Sequence, residues 1–212
     1  MDIFTIFLYI HITGGALSLI SGSIVLMARK GDRFHIRVGR IYYYTMLIAV
    51  TAAIPMCFLH PNYFLFIISI FSGYMVLSGQ RYIRIKTIDD VKPIDKILAY
   101  TILIFGLVFL GLGGYHLYQS KLFGIIFLVF GTICVSFYFQ DFKNFSGKSK
   151  FANFGLMSHI QRMIGGYISS ITAFIVVNNK ILPGVIAWLL PTVILVPLII
   201  YWSRKYEKKR IV

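Results

Sequence analysis

Acidic residues are scarce in this chain. Seven aspartates and glutamates stand against 21 lysines and arginines in 212 residues, and charged residues of both signs make up only 13%. Soluble domains carry about a quarter, so the composition excludes an ordinary water-soluble domain and points to the membrane class. Cysteine is nearly missing too. Cys57 and Cys134 lie in different hydrophobic stretches, which excludes a disulfide framework and a short-spaced thiolate metal site; both read as small buried hydrophobes. There is no His-x-x-x-His or His-Glu-x-x-His, and the one glutamate, Glu207, lies outside every apolar stretch. A zinc-dependent intramembrane hydrolase, which needs three close ligands and an open position, has nothing to build on. The last apolar stretch holds no lysine, which excludes a retinal Schiff base. No basic residue precedes the first apolar run and no small-x-small site follows it, so that run reads as a retained helix rather than a signal peptide.

What the chain has in abundance is apolar residues, 58% of the total. Polar boundaries divide them into seven stretches: Ile3–Ala28, Ile41–Leu59, Pro61–Gln80, Ile97–Tyr118, Leu122–Gln140, Phe154–Val177 and Leu182–Trp202. Each approaches the roughly 20 residues that cross the hydrocarbon core as a helix. The joints are short, His60-Pro61-Asn62 and Gln119-Ser120-Lys121 among them, which leaves no room for an extramembrane module. No internal repeat stands out, and an odd number of spans excludes an inverted duplication of the whole chain.

The net charge of +14 is distributed in a way that argues against a nucleic-acid partner. Arg29, Lys30, Arg33, Arg37 and Arg40 follow the first stretch, and Arg81, Arg84, Lys86, Lys92 and Lys96 follow the third. Lys143, Lys148 and Lys150 follow the fifth, and Arg204, Lys205, Lys208, Lys209 and Arg210 the seventh. Eighteen of the 21 basic residues thus fall on one side, with only Lys121 and Lys180 in loops on the other. By the positive-inside rule that side is cytoplasmic, where anionic lipid headgroups are the expected partners. The expected fold class is an all-α membrane protein: a single bundle of seven transmembrane helices over residues 1–212, N-terminus outside and C-terminus in the cytoplasm.

Small residues mark close helix contacts in membranes. His11, Gly14, Gly15, Ser18 and Gly22 recur at helical spacing on the first helix, as do Gly106, Gly113 and His116 on the fourth, and His159, Arg162, Gly166, Ser169 and Ala173 on the sixth. These faces are expected to look inward. Arg162 cannot shed its proton and must snorkel or pair; Asp141 is the carboxylate at the right depth. His159 and Arg162, three residues apart, share a helix face. Together with His35 and Arg81 they form the expected cluster on the cytoplasmic side.

Several segments also read together as a pattern. HITGGALSLISGSIVLMARKGDRFHIRVGRIYYYTM, NYFLFIISIFSGYMVLSGQRYIR, SHIQRMIGGYISSITAFIVVNN and WLLPTVILVPLIIYWSRKY come in this order along most of the chain. In them the chain resembles a bacterial family of predicted membrane proteins, domain of unknown function 2306, which carries no assigned activity. The resemblance implies a bacterial inner-membrane protein. It implies as motif positions His11, Lys30-Gly31, His35, Gly39, Arg40, Gly79, Arg81, Asp141, His159, Arg162-Met163, Asn178 and Pro191; His60 and His116 fall outside it.

Two functions are compatible with these residues. The first is electron transfer through b-type haem or a quinone, with His11, His35 and His159 as the cofactor-binding candidates, since bundle cores hold haem between histidines on facing helices. At about 1.5 Å per residue, however, His11 and His116 lie roughly 9 Å apart in depth, whereas His35 and His159 agree better. The second is proton-coupled transport or small-ligand binding along His11, Ser18, Gln80, Asp141, His159 and Arg162, with Pro55, Pro191 and Pro197 bending the helices. A non-enzymatic membrane subunit leaves little trace in sequence and stays open beside them.

Overall fold

Polar caps set where the first three helices begin. Asp2 accepts the Thr5 N–H, Asp32 the His35 N–H and Asn62 the Leu65 N–H at 2.8, 2.7 and 3.1 Å, each taking a donor that a helical first turn leaves unpaired. The computed structural model describes residues 2–208, so Lys209 and Arg210 of the basic C-terminal run lie outside the described residues. The helices are α1 (Ile3–Met27), α2 (Arg33–Leu59), α3 (Tyr63–Tyr82), α4 (Pro93–Tyr118), α5 (Gly124–Phe145), α6 (Phe154–Asn178) and α7 (Gly184–Tyr206). A single 3₁₀ turn, Ile88–Asp90, interrupts the loop between α3 and α4. No strand occurs among the described residues. By length and composition, all but α3 of these seven helices qualify as membrane spans among the described residues.

The expected stretches overlie these seven helices, but α2, α4 and α5 run beyond them, to Arg33, Pro93 and Phe145. The second was expected from Ile41, but α2 starts at Arg33. Its first turns carry Arg33, His35, Arg37 and Arg40, because the Asp32 cap starts a helix well before the apolar run does. His35 is therefore a helical residue rather than a loop residue.

The α1–α2 and α4–α5 hairpins flank a centre made by α3 and α6, and α7 packs against α6 and α5. Small residues set the close approaches, as lipid-embedded packing requires. A Cβ on Gly14 would stand 3.0 Å from the Thr45 carbonyl oxygen of α2, and one on Gly155 only 2.0 Å from the Ile85 carbonyl oxygen just past α3. Gly106 and Gly113 press against α5 in the same way. One apolar core joins Phe71, Phe109, Phe127, Phe130 and Trp188, and a second joins Tyr42, Met46, Val76 and Tyr167. Hydroxyls that sink into this interior bond their own helix: Ser21, Ser72 and Ser78 donate to the carbonyls of Leu17, Ile68 and Tyr74, which removes the cost of leaving them unpaired.

Candidate functional site

Two polar assemblies, both built on α6, lie toward the basic side. The first is a closed network around Arg162, which has no solvent exposure at all, and Asp141, which has 1%. Arg162 Nη2 donates to Asp141 Oδ1 at 2.8 Å, Nη1 to the Gln140 side chain at 2.9 Å and Nε to the Tyr74 hydroxyl at 3.2 Å. Its guanidinium also lies over the Phe137 ring, 3.7 Å from the centroid, an attractive placement for a cation in a desolvated site. Asp141 accepts further from the Tyr74 and Tyr82 hydroxyls at 2.5 and 2.6 Å, and Asn144 ties Tyr82 to Ser158. Every arm of the ion pair is occupied by protein. Such a satisfied network fixes α3, α5 and α6 to one another and leaves no valence for a ligand.

The second assembly is open. A cavity of about 760 Å³ is enclosed by the end of α1, the start of α2, the end of α3, the first half of α6 and the end of α7. Its size falls within the 300–1,000 Å³ usual for small-ligand sites. Lys30, Arg40 and Arg84 supply fixed positive charge to its lining, His35 and His159 supply imidazoles, and no aspartate or glutamate lines it. The rest of the wall is aromatic and aliphatic, with Tyr43, Tyr167, Trp202 and Tyr206 prominent. Gly39 lies on this wall with empty space in front of it: a Cβ there would meet nothing within 4 Å.

Local structure explains why these groups gather. Lys30 follows α1 by three residues, and its ammonium donates to the carbonyls of Val25, Leu26 and Ala28 at 2.8, 2.7 and 3.3 Å. These are the acceptors a helix C-terminus leaves over. The same ammonium stands 4.8 Å from the Trp202 ring centroid, joining α1 to α7. Burial pushes the Lys30 pKa below the usual lysine range, because it strips part of the water from the charged form. His159 bonds the Gly79 carbonyl through Nδ1 at 2.8 Å. His35 is within electrostatic reach of both Lys30 and His159. Two polar atoms on this wall, His35 Nδ1 and Trp202 Nε1, are buried with no protein partner. Buried polar groups are rarely left so.

The cluster expected from sequence is thus divided. Asp141 and Arg162 pair, on the α5 side of α6. His35 and His159 meet in the cavity. Arg81 joins neither: it forms a two-pronged pair with Asp95 at the start of α4, through contacts of 2.5 and 2.8 Å. Spacing of three residues placed His159 and Arg162 on one broad face, but that face spans both the α3–α5 contact and the cavity wall. His11 lies apart from all of these, with Nδ1 on the Ala49 carbonyl at 2.8 Å. His116 stacks on Phe127 near the other side. Among the described residues no three His, Cys, Asp or Glu side chains converge as a metal-binding group.

Sequence reasoning counted Lys30, Arg40 and Arg84 only as orientation charges, and passed over Tyr43, Trp202 and Tyr206. The available signal was the clustering of basic residues, glycines and a histidine from Lys30 to Arg40, in which Lys30, Gly31, His35, Gly39 and Arg40 all line the cavity. Comparison of the chain with protein-family models, curated proteins and solved structures finds no match.

Proposed function

We propose that this chain is a multi-pass membrane protein of the bacterial inner membrane that binds a small anionic amphiphile in the cavity between α1, α2, α6 and α7. By the positive-inside rule the cavity lies at the cytoplasmic leaflet. The observation that carries the reading is the lining: three fixed cations and two imidazoles, no carboxylate, and an aromatic and aliphatic wall behind them. An anionic headgroup fits the first part and a hydrocarbon body the second. The motif positions of the family resemblance support the same place, since Lys30-Gly31, His35, Gly39, Arg40, His159 and Met163 all line it.

The test is calorimetric titration of the protein, purified in a non-ionic detergent, with decanesulfonate and with decyltrimethylammonium. The anion is expected to bind and the cation not to. Gly39→Leu starts from a Cβ that meets nothing within 4 Å, so it is expected to keep the fold and to obstruct anion binding. Arg40→Met is expected to weaken binding about 10- to 100-fold, the worth of one charge-assisted hydrogen bond at ~1.5–3 kcal/mol. Equal heats from both amphiphiles, or from wild type and Gly39→Leu, overturn the reading.

A second reading is favoured by one feature. With Nδ1 of His159 on the Gly79 carbonyl, Nε2 is left toward the cavity, an arrangement typical of a metal-ligating imidazole. In that reading His159 and His35 hold b-type haem from facing helices, and Lys30, Arg40 and Arg84 meet its propionates; the haem would supply one-electron transfer. The lining carries more cationic side chains than imidazoles, which is why the amphiphile stands first. A Soret band in protein from haem-replete cells, lost in His159→Ala, reverses that order.

A further inference from the structure

We infer that the ligand of this cavity is an anionic phospholipid of the surrounding leaflet, which enters sideways through a mouth between α2 and the end of α3; this rests on the amphiphile-binding reading. Exposure around the lining places the mouth. On α2 the lining forms two neighbouring stripes at a spacing of four residues, each running along one line of the helix. His35, Gly39 and Tyr43 are half-buried, whereas Ile36, Arg40 and Tyr44 beside them are exposed. Ile83 and Arg84, just past α3, are exposed as well. The lining residues of α1, α6 and α7 are all buried or half-buried, which closes the opposite side, and elsewhere on the lining only Gly31 is exposed. Gly39 leaves a gap in the inner stripe, since a Cβ there meets nothing within 4 Å.

The mouth lies where lipid headgroups meet hydrocarbon. Arg33, Arg37 and Arg40 occupy the first turns of α2, and its apolar stretch begins at Ile41. Arg40 therefore marks the polar boundary, and Tyr44 lies about 6 Å further in. An exposed tyrosine suits that level, with an apolar ring for the lipid and a polar tip for the interface. Entry at this depth is from the leaflet. Charge then selects among lipids. Arg81 and Arg162 are taken by Asp95 and Asp141, but neither Arg40 nor Arg84 has an ion-pair partner among the described residues. Lys30 already spends its ammonium on the carbonyls at the end of α1. Two unpaired guanidiniums at the mouth match a phosphodiester, whose oxygens accept their N–H groups; a zwitterionic headgroup brings its own cation and gains less. Behind them Leu26, Met163 and Tyr167 offer an acyl chain an apolar wall. The phosphate thus sits on Arg40 and Arg84, and one chain runs inward.

Trp202 lines the cavity and can report on its contents. Trp188 is the only other tryptophan, so Trp188→Phe leaves Trp202 alone. The protein in that background is reconstituted in phosphatidylcholine vesicles. Phosphatidylglycerol brominated high on its chains should quench Trp202 fluorescence more than equally brominated phosphatidylcholine at the same mole fraction. Titration of the excess gives the preference for the anionic lipid, expected at about fivefold for each arginine. Arg40→Met with Arg84→Met should abolish the excess, and so should Gly39→Leu. Arg37→Met with Arg204→Met removes two exposed charges from the same side but none from the lining, and should keep it. These pairs change exposed side chains, so they decide even if Gly39→Leu fails to fold. Equal quenching by the two lipids overturns the inference. An excess that survives the first pair, or that both pairs abolish alike, places the lipid outside the cavity and overturns it too. Relief of the quenching by glycerol phosphate in the water would show that the anion comes from solution instead. If decanesulfonate binds while the excess is missing, the cavity remains an amphiphile site and only the lipid and its route fall. If neither probe binds, both readings fall.

Discussion

Arg162 is the residue whose environment is least negotiable. A guanidinium with no solvent exposure is tolerable only because Asp141, Gln140, Tyr74 and the Phe137 ring surround it, and Asp141 is tolerable only because Tyr74, Tyr82 and Arg162 all donate to it. Removing one partner strands the other as an unpaired charge, which costs roughly 3–5 kcal/mol. Asp141→Ala should therefore lower the thermal midpoint in detergent sharply, and Asp141→Ala combined with Arg162→Met should recover much of the loss. Because no hydrogen bond of the network goes to a cavity residue, the double variant should still bind decanesulfonate. Additive losses in the pair would show that the two side chains are not coupled. This pair was legible in the sequence because an arginine within a helix demands a carboxylate at its own depth, and Asp141 alone offered one. The partner of Arg81 was not legible: Asp95 lies across a loop of unknown path, so nothing in spacing could place it. Lys30 was hidden for another reason, since a lysine after a helix reads equally well as an orientation charge.

At the scale of elements, α6 decides the arrangement. One side of it holds the ion pair, another holds His159 on the α3 carbonyl of Gly79, and its first turn presses Gly155 against the end of α3. A methyl there would have to occupy space already held by the Ile85 and Tyr82 carbonyl oxygens, at 2.0 and 2.7 Å. Backbone cannot swing aside as a side chain does. Gly155→Ala is expected to cost about 1–3 kcal/mol through overpacking, and to perturb the cavity by displacing the start of α6. Gly15→Ala on α1 meets nothing within 4 Å and should stay within about 0.5 kcal/mol of wild type. Thermal unfolding of the two variants checks this, and equal effects would contradict the packing described. Helix existence and order could be read from apolar runs, and the inward faces from glycine and serine spacing. The cavity could not be read, because it exists only where parts of five helices stop short of meeting. No single helix carries its pattern.

The whole molecule joins these through its charge asymmetry. Each passage of the chain reverses direction, so the ends of α1, α3, α5 and α7 and the starts of α2, α4 and α6 share one side, and the basic loop residues gather there. That side carries Lys30, Arg40 and Arg84 on the cavity wall and Arg81 on Asp95. The positive-inside rule predicts that it is cytoplasmic, and the proposed amphiphile site would share that orientation. Reporter fusions test both together. Fusions after Lys92 and Lys148 are expected to report the cytoplasm, and one at Ser120, in the joint between α4 and α5, the outside. The Ser120 position decides most, because it depends on α3 and α4 each crossing. If α3 lay along the surface instead, the Lys92 and Ser120 fusions would exchange sides, and the histidines at the starts of α2 and α6 would no longer share a leaflet. A cytoplasmic signal at Ser120 therefore removes the seven-helix topology and, with it, the cavity that His35 and His159 line.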